Sequence, residues 1–178
     1  EDARIFREFE NRVQSIALVH EQLYQSDRMA TVALEPYLRD LVSWLGDSYG
    51  YIGRLPEMVI DADDTELSLD QTLQVGLIVN EAVSNCHKHA FGSVDSDEPA
   101  LISLLLRSEN GEVRLKVEDN GVGFELPEEL SSLDSMGVQL MLSLADQLSG
   151  AITITGDGGT TVELTFPGAP TPGSYRVP

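Results

Sequence analysis

The stretch NEAVSNCHKHAF, Asn80 to Phe91, sets four polar residues into an otherwise apolar helical run. Glu81 and Asn85 stand four apart and Lys88 seven beyond Glu81, so in a helix the three share one stripe. Leu77, Ile78, Ala82, Val83 and Cys86 supply the opposite side. One side of this helix is built to pack; the other presents an acid, an amide and a cation together.

Upstream, Ser68 and Gln71 have the spacing of a capping box and predict the start of this helix. Before it, EMVIDAD predicts a short strand. The acidic DADDTE lacks the glycine and terminal glutamate of a calcium loop and reads as a solvated turn. Downstream, ALISLLLR and EVRLKVED predict two strands joined at Asn110-Gly111, the turn dipeptide that best marks a hairpin. In the second, Val113, Leu115 and Val117 alternate with Arg114, Lys116 and Glu118, so one face is buried and the other wet. A glycine- and acid-rich loop follows, then a helix from about Gly137 to Leu148, and the strands AITIT and TVELTFP around a GDGGT turn. The order predicts a helical layer over a mostly antiparallel sheet.

The amino-terminal part has another character. Residues 2 to about 26 predict a helix whose seam, Phe6, Phe9, Val13, Ile16, His20 and Leu23, steps by three and four. Such a seam needs a partner helix or a second copy of the chain. A break at SDRMATVA precedes a second helix burying Tyr37, Leu38, Leu41, Val42 and Leu45, with Pro36 in its first turn and Gly46 and Gly50 at its end.

Composition narrows the function. The 178 residues carry a net charge of -19, which disfavours a nucleic acid partner, because such a surface repels a phosphate backbone. A nucleotide remains compatible, since a divalent cation and local amides outweigh distant surface charge. The single cysteine, Cys86, permits no internal disulfide and sits on the apolar side as a buried, inert thiol. No apolar run reaches membrane-spanning length, so no membrane contact is expected, and a cytoplasmic location fits. The chain opens in mid-helix without a start methionine, as a piece of a longer protein would.

Three further stretches carry chemistry. VEDNGVGF, Val117 to Phe124, delivers Asp119 at a strand tip beside Gly121 and Gly123, where a carboxylate accepts from an exocyclic amine and glycines admit a ligand close to the backbone. SMGVQL places Gly137 at the mouth of a helix, whose exposed amides suit an anion such as phosphate. DGGTTVELTFP starts a strand near Thr160. Each alone reads more readily as an ordinary turn or helix start.

In this order, over roughly residues 60 to 167, the four stretches closely resemble the boxes of the GHKL nucleotide-binding superfamily, which includes gyrase and the sensor histidine kinases. NRVQSIALVHEQLYQS followed by LEPYLRDLV resembles the second dimerisation helix and linker of one subfamily of two-component histidine kinases, which also ends its first box in Lys-His-Ala-Phe, as at residues 88–91. The resemblance implies a Bergerat-type α/β two-layer sandwich binding ATP and Mg2+. It implies residues 1–30 as the end of a dimerisation hairpin, 31–167 as the catalytic domain and 168–178 as a flexible tail. Asn85 would hold magnesium, Lys88 a phosphate, and His89 would stand beside the nucleotide. Asp119 would receive the adenine amino group, with Gly121 and Gly123 shaping its pocket. Gly137 would let the lid close, Thr160 would complete the adenine site, and Glu81 would orient or deprotonate the attacking group.

The implied activity is that of an ATP:protein-histidine phosphotransferase, homodimeric through the amino-terminal helix and passing its phosphoryl group to the receiver domain of a response regulator. The chain departs from the pattern at Ser135, where the second glycine box usually has its first glycine. The subfamily's phosphoacceptor histidine lies on a helix before Glu1, so this chain alone is not expected to phosphorylate itself. Of its three histidines, His20 on the seam is the weak alternative acceptor, and His87 reads as a packing or surface residue. A serine kinase of the anti-sigma type and a non-catalytic interaction module are the competing readings.

Overall fold

The computed structural model describes residues 6, 9–18, 31–49, 56–91, 99–125 and 135–168. The outer parts of the seam helix, including His20 and Leu23, and the tail from 169 lie outside the described residues. Helix α1 covers 9–18. Strand β1 (Thr31–Ala33), helix α2 (Leu34–Ser48), strands β2 (Glu57–Ala62) and β3 (Glu66–Ser68) and helix α3 (Leu69–Asn85) follow. A π-helical turn (Cys86–Ala90), strands β4 (Leu101–Glu109) and β5 (Glu112–Asp119), helix α4 (Met136–Gln147) and strands β6 (Ala151–Thr155) and β7 (Thr161–Pro167) complete the order.

Five strands form one sheet in the order β2-β4-β5-β7-β6, with β2 parallel to β4 and every other pair antiparallel. The β4–β5 hairpin turns through Asn110 and Gly111, both at positive φ (54° and 80°), the mirror-image turn that matches strand twist. Period-two alternation buries Ile102, Leu104 and Leu106 of β4, Val113, Leu115 and Val117 of β5, and Val162, Leu164 and Phe166 of β7. The alternate residues carry a charged ladder in which Lys116 Nζ lies 2.8 Å from Glu118 Oε2 and Arg114 Nε 3.5 Å from Glu163 Oε1. Only one face of the sheet therefore accepts helices, and the result is a two-layer α/β sandwich.

The helical layer supplies Leu38, Leu41 and Leu45 from α2, Val75, Ile78, Val79 and Val83 from α3, and Met141, Leu144 and Ala145 from α4 to the same core. Ser68 caps α3, its Oγ accepting from Gln71 N at 3.3 Å, while Gln71 Nε2 reaches Pro167 O at 2.9 Å and ties the helix start to the sheet.

Several expectations need correction. Residues 31–33 and 66–68 are not plain connections but a two-stranded antiparallel ribbon, with Val32 opposite Leu67 and both buried. Three-residue strands offer too few positions for alternation to show. Gly46 does not end α2, which runs on to Ser48. Leu77 is only half-buried, and α3 gives way at Cys86 to the π-helical turn rather than continuing to Phe91. The acidic turn is solvated as expected, with Arg107 paired to the exposed Asp61 and 3.6 Å from Asp63.

Helix α1 leaves Phe6 and Phe9 more than 60% exposed, with Val13 and Ile16 beside them. Its polar side lies inward, where Tyr37 Oη donates to Ser15 O at 3.1 Å and Asn11 Nδ2 donates to Tyr49 Oη at 3.2 Å. The same buried phenol explains Gly76. A Cβ at that position would lie 1.8 Å from Tyr37 Oη. Helix propensity alone would favour alanine there by about 1 kcal/mol, but the overlap outweighs it. Gly76→Ala is expected to destabilise the chain by about 1–3 kcal/mol, as overpacked cores do, read as a lowered urea midpoint; a raised midpoint would contradict the packing.

Candidate functional site

The site begins where β5 ends. Asp119 is the last residue of a central strand and is 3% exposed. Its backbone N–H donates to Thr160 O at 2.9 Å, and its Oδ1 accepts from Gly121 N at 2.9 Å and Thr160 N at 3.2 Å. The carboxylate is thus oriented by two amides from different segments. Its Oδ2 is buried with no hydrogen-bond partner among the described residues. A buried carboxylate oxygen in that state calls for a donor. The neighbouring Cys86 thiol is a weak one, pushed well above its usual pKa by burial and then by the Asp119 charge.

The backbone approaches closely around this carboxylate. Val122 N donates to Ala90 O at 3.0 Å, and a Cβ on Gly121 would come within 2.4 Å of the same oxygen. Gly123 has φ +63°, a conformation that side chains resist, and a Cβ there would meet Gly156 O at 2.0 Å. These contacts bind the segment after Asp119 to both the π-helical turn and the β6–β7 loop.

Next to this junction lies a cavity of about 340 Å3. Asn85, His89, Ser135 and Thr160 give it polar points, and Ala82, Phe124, Val138, Met141, Ile154 and Val162 give it apolar walls. An apolar slot with a few fixed polar groups suits a planar ring carrying hydrogen-bonding edges. Of the residues singled out in the sequence, Asn85, His89, Gly123 and Thr160 line the cavity, and Asp119 is bonded directly to Thr160 at its edge.

Lys88, Asp119 and Gly121 are not among the lining residues. Lys88 sits on the π-helical turn, which advances fewer degrees per residue than an α-helix and so shifts it from the Glu81–Asn85 stripe. Glu81 is also withdrawn. It is 6% exposed, its Oε1 pairs with Arg12 Nε at 2.7 Å, and a Cβ on Gly137 would lie 2.7 Å from its Oε2. Gly137 therefore packs on Glu81. Ser135 stands at the start of α4 without a side-chain capping bond and lines the cavity.

Sequence reasoning missed Arg12, Met136 and the apolar wall. Phe124 and Val162 stood inside stretches already singled out, so the wall had a signal in the hydrophobic positions flanking the glycines. The Arg12–Glu81 contact joins residues 69 apart in the chain and left none.

Among the described residues no group of three or more His, Cys, Asp or Glu side chains is placed to hold a metal ion. No helix among them is long and apolar enough to cross a membrane. A family model described as histidine kinase-like ATPase domain matches residues 57–166, and one described as histidine kinase matches residues 1–49.

The chain belongs to the histidine kinase-like ATPase domain family. With the match at its amino terminus, it is a sensor histidine kinase ATP-binding region of the GHKL superfamily. Sensor histidine kinase LiaS of Bacillus subtilis (strain 168) is 33% identical over 109 residues, covering 60% of this chain and 28% of that protein. Blue-light-activated histidine kinase 2 of Erythrobacter litoralis (strain HTCC2594) is 23% identical over 175 residues, 91% of this chain and 47% of that protein. The chain thus spans less than half of either relative. In fold, it matches the histidine kinase domain of the Erythrobacter litoralis EL346 blue-light activated histidine kinase at TM-score 0.77 and 24% identity, over 90% of this chain and 74% of that one. The catalytic domain of the histidine kinase ThkA matches at TM-score 0.60 and 18% identity, over 79% of this chain and 96% of that one.

Within this kinase region the π-helical turn also makes a pH-sensitive contact. His87 is buried and stacked on Tyr49, ring centroids 5.0 Å apart and planes at 10°. Burial lowers its pKa from 6.5 to about 4. The unfolded chain therefore binds this proton more tightly, so the His87 contribution is intact above pH 6.5 and lost as pH falls toward about 4. The limiting slope is about 1.4 kcal/mol per pH unit. Urea unfolding at stepped pH should show this loss, and His87→Phe should flatten the profile; identical profiles would place the acid sensitivity elsewhere.

Proposed function

We propose that the chain binds ATP in this cavity and directs its γ-phosphoryl group to a histidine on a phosphoacceptor helix, from which a response-regulator aspartate takes it. The observation that carries the reading is Asp119 Oδ2, buried without a hydrogen-bond partner among the described residues, on a carboxylate held by the amide of Thr160, which lines the cavity. An adenine amino group supplies such a donor. The apolar walls would take the ring faces, Gly123 would let the backbone approach the ring, and Thr160 would hold Asp119 in register and add its hydroxyl.

The phosphates would then extend toward Asn85, His89 and the start of α4. Asn85 offers a neutral oxygen of the kind a magnesium ion takes, alongside phosphate oxygens and water, so one protein ligand is sufficient. Bound there, the ion would neutralise charge on the phosphates. In this reading Lys88, beside His89 on the π-helical turn, would meet a phosphate outside the cavity lining. Gly137 would bring the α4 amides to the phosphate end, with Ser135 narrowing the entrance.

In the transfer itself, an imidazole nitrogen attacks the γ-phosphorus. An N–P bond forms as the P–O bond to the β-phosphate breaks, and ADP leaves with the electron pair. Glu81 accepts the proton lost by the imidazole. The exposed seam of Phe6, Phe9, Val13 and Ile16 supports homodimerisation through α1. The use of ATP supports a cytoplasmic site. The family match at residues 1–49 favours histidine over serine as acceptor.

Calorimetric titration with a non-hydrolysable ATP analogue and magnesium should give saturable binding. Asp119→Asn, which sets an NH2 or an uncharged oxygen against the adenine amine, should weaken it at least about thirtyfold. In transfer assays with a supplied phosphoacceptor helix, Glu81→Gln should slow phosphorylation by about 10²-fold or more without changing nucleotide affinity. A folded chain that fails to bind the analogue would leave the non-catalytic module as the better reading.

A further inference from the structure

Resting on the general-base role proposed for Glu81, we infer that Arg12 occupies the seat of the phosphoacceptor imidazole and holds Glu81 out of play until the acceptor displaces it. The guanidinium reaches from α1 into the gap between α3 and α4. Its Nε donates to Glu81 Oε1 at 2.7 Å, and its Nη1 lies 3.9 Å from Met136 Sδ at the first residue of α4. The other carboxylate oxygen faces Gly137, where even one added carbon would stand 2.7 Å away. One oxygen thus holds a cation, and the other lies against the glycine of the first turn of α4.

A proton acceptor in this arrangement has the oxygen at the α1 side already engaged by an N–H. The donor that occupies Oε1 is itself a planar N–H, the group an imidazole would present. Arg12 therefore mimics the substrate contact from within the same chain. The Glu81 side chain is 8% exposed and that of Arg12 25%, so the acid is the desolvated partner and the arginine is the one able to withdraw toward solvent. An isolated buried carboxylate is costly, which keeps the pair closed until another donor arrives. Helix α1 carries its apolar seam on its outer side, at Phe6, Phe9, Val13 and Ile16.

The contact also explains why α1 lies polar side inward. Its buried Asn11 and Ser15 bond to Tyr49 and Tyr37, and Arg12 between them is aimed at the site.

The test is steady-state transfer from Mg-ATP to a phosphoacceptor hairpin supplied in trans without an ATPase domain of its own. Arg12→Ala should lower KM for the hairpin about tenfold, the scale of one charge-assisted hydrogen bond. KM for ATP should stay unchanged, a split that a merely structural role would not produce. Arg12→Lys, which keeps the charge but not the planar fork, should fall between. If the alanine variant unfolds, Arg12→Gln keeps much of the stem and should move KM in the same direction. An unchanged or raised KM for the hairpin in a folded variant overturns the inference while leaving ATP binding intact. A wild-type chain that binds no ATP overturns the functional reading and this inference together.

Discussion

The structure turns on how one carboxylate is held. Asp119 ends β5, and its side chain bridges the segment that follows it to the start of β7 through the amides of Gly121 and Thr160. That bridge fixes the β5–β7 junction and the neighbouring close backbone contacts. It uses only one of two oxygens. The fold therefore spends a central strand on orienting an acceptor whose second oxygen is buried without a hydrogen-bond partner among the described residues.

The surrounding architecture follows from this constraint. A sheet with one wet, charged face accepts helices only on the other, so α3 and α4 are pressed side by side over the buried face. The cavity opens between their ends and the loops at the β5–β7 junction. Because the helices are bound by apolar packing and the polar groups by backbone amides, the cavity can be lined by hydrophobic side chains while its polar points stay fixed. The π-helical turn at the end of α3 lets Asn85 and His89 face the cavity while burying Cys86 and His87 behind them.

Much of this was legible in the sequence, for identifiable reasons. The hairpin at Asn110-Gly111, the Ser68 cap and the period-two pattern of β5 are local signals, and each is found where its chemistry put it. Asn85, Asp119, Gly123 and Thr160 stood out because polar or glycine residues interrupt apolar runs. What the chain did not disclose depends on distance or on very short elements. The β1–β3 ribbon is too brief for periodicity, the π-helical turn breaks a spacing argument that assumes 3.6 residues per turn, and the Arg12–Glu81 pair joins α1 to α3 with no local mark. The Glu81–Asn85–Lys88 stripe is correspondingly divided. Asn85 faces the cavity, Glu81 is closed under Arg12 and α4, and Lys88 stands aside.

The central claim is that Asp119 Oδ2 reads the amino group of a purine. The most direct measurement is the affinity of this chain for ATP against inosine triphosphate, which carries a 6-oxo group in place of the amine, with magnesium present in both titrations. The account predicts that ATP binds at least about tenfold more tightly, because the oxo group would leave the buried carboxylate oxygen facing another acceptor. Equal affinity for the two nucleotides would contradict it.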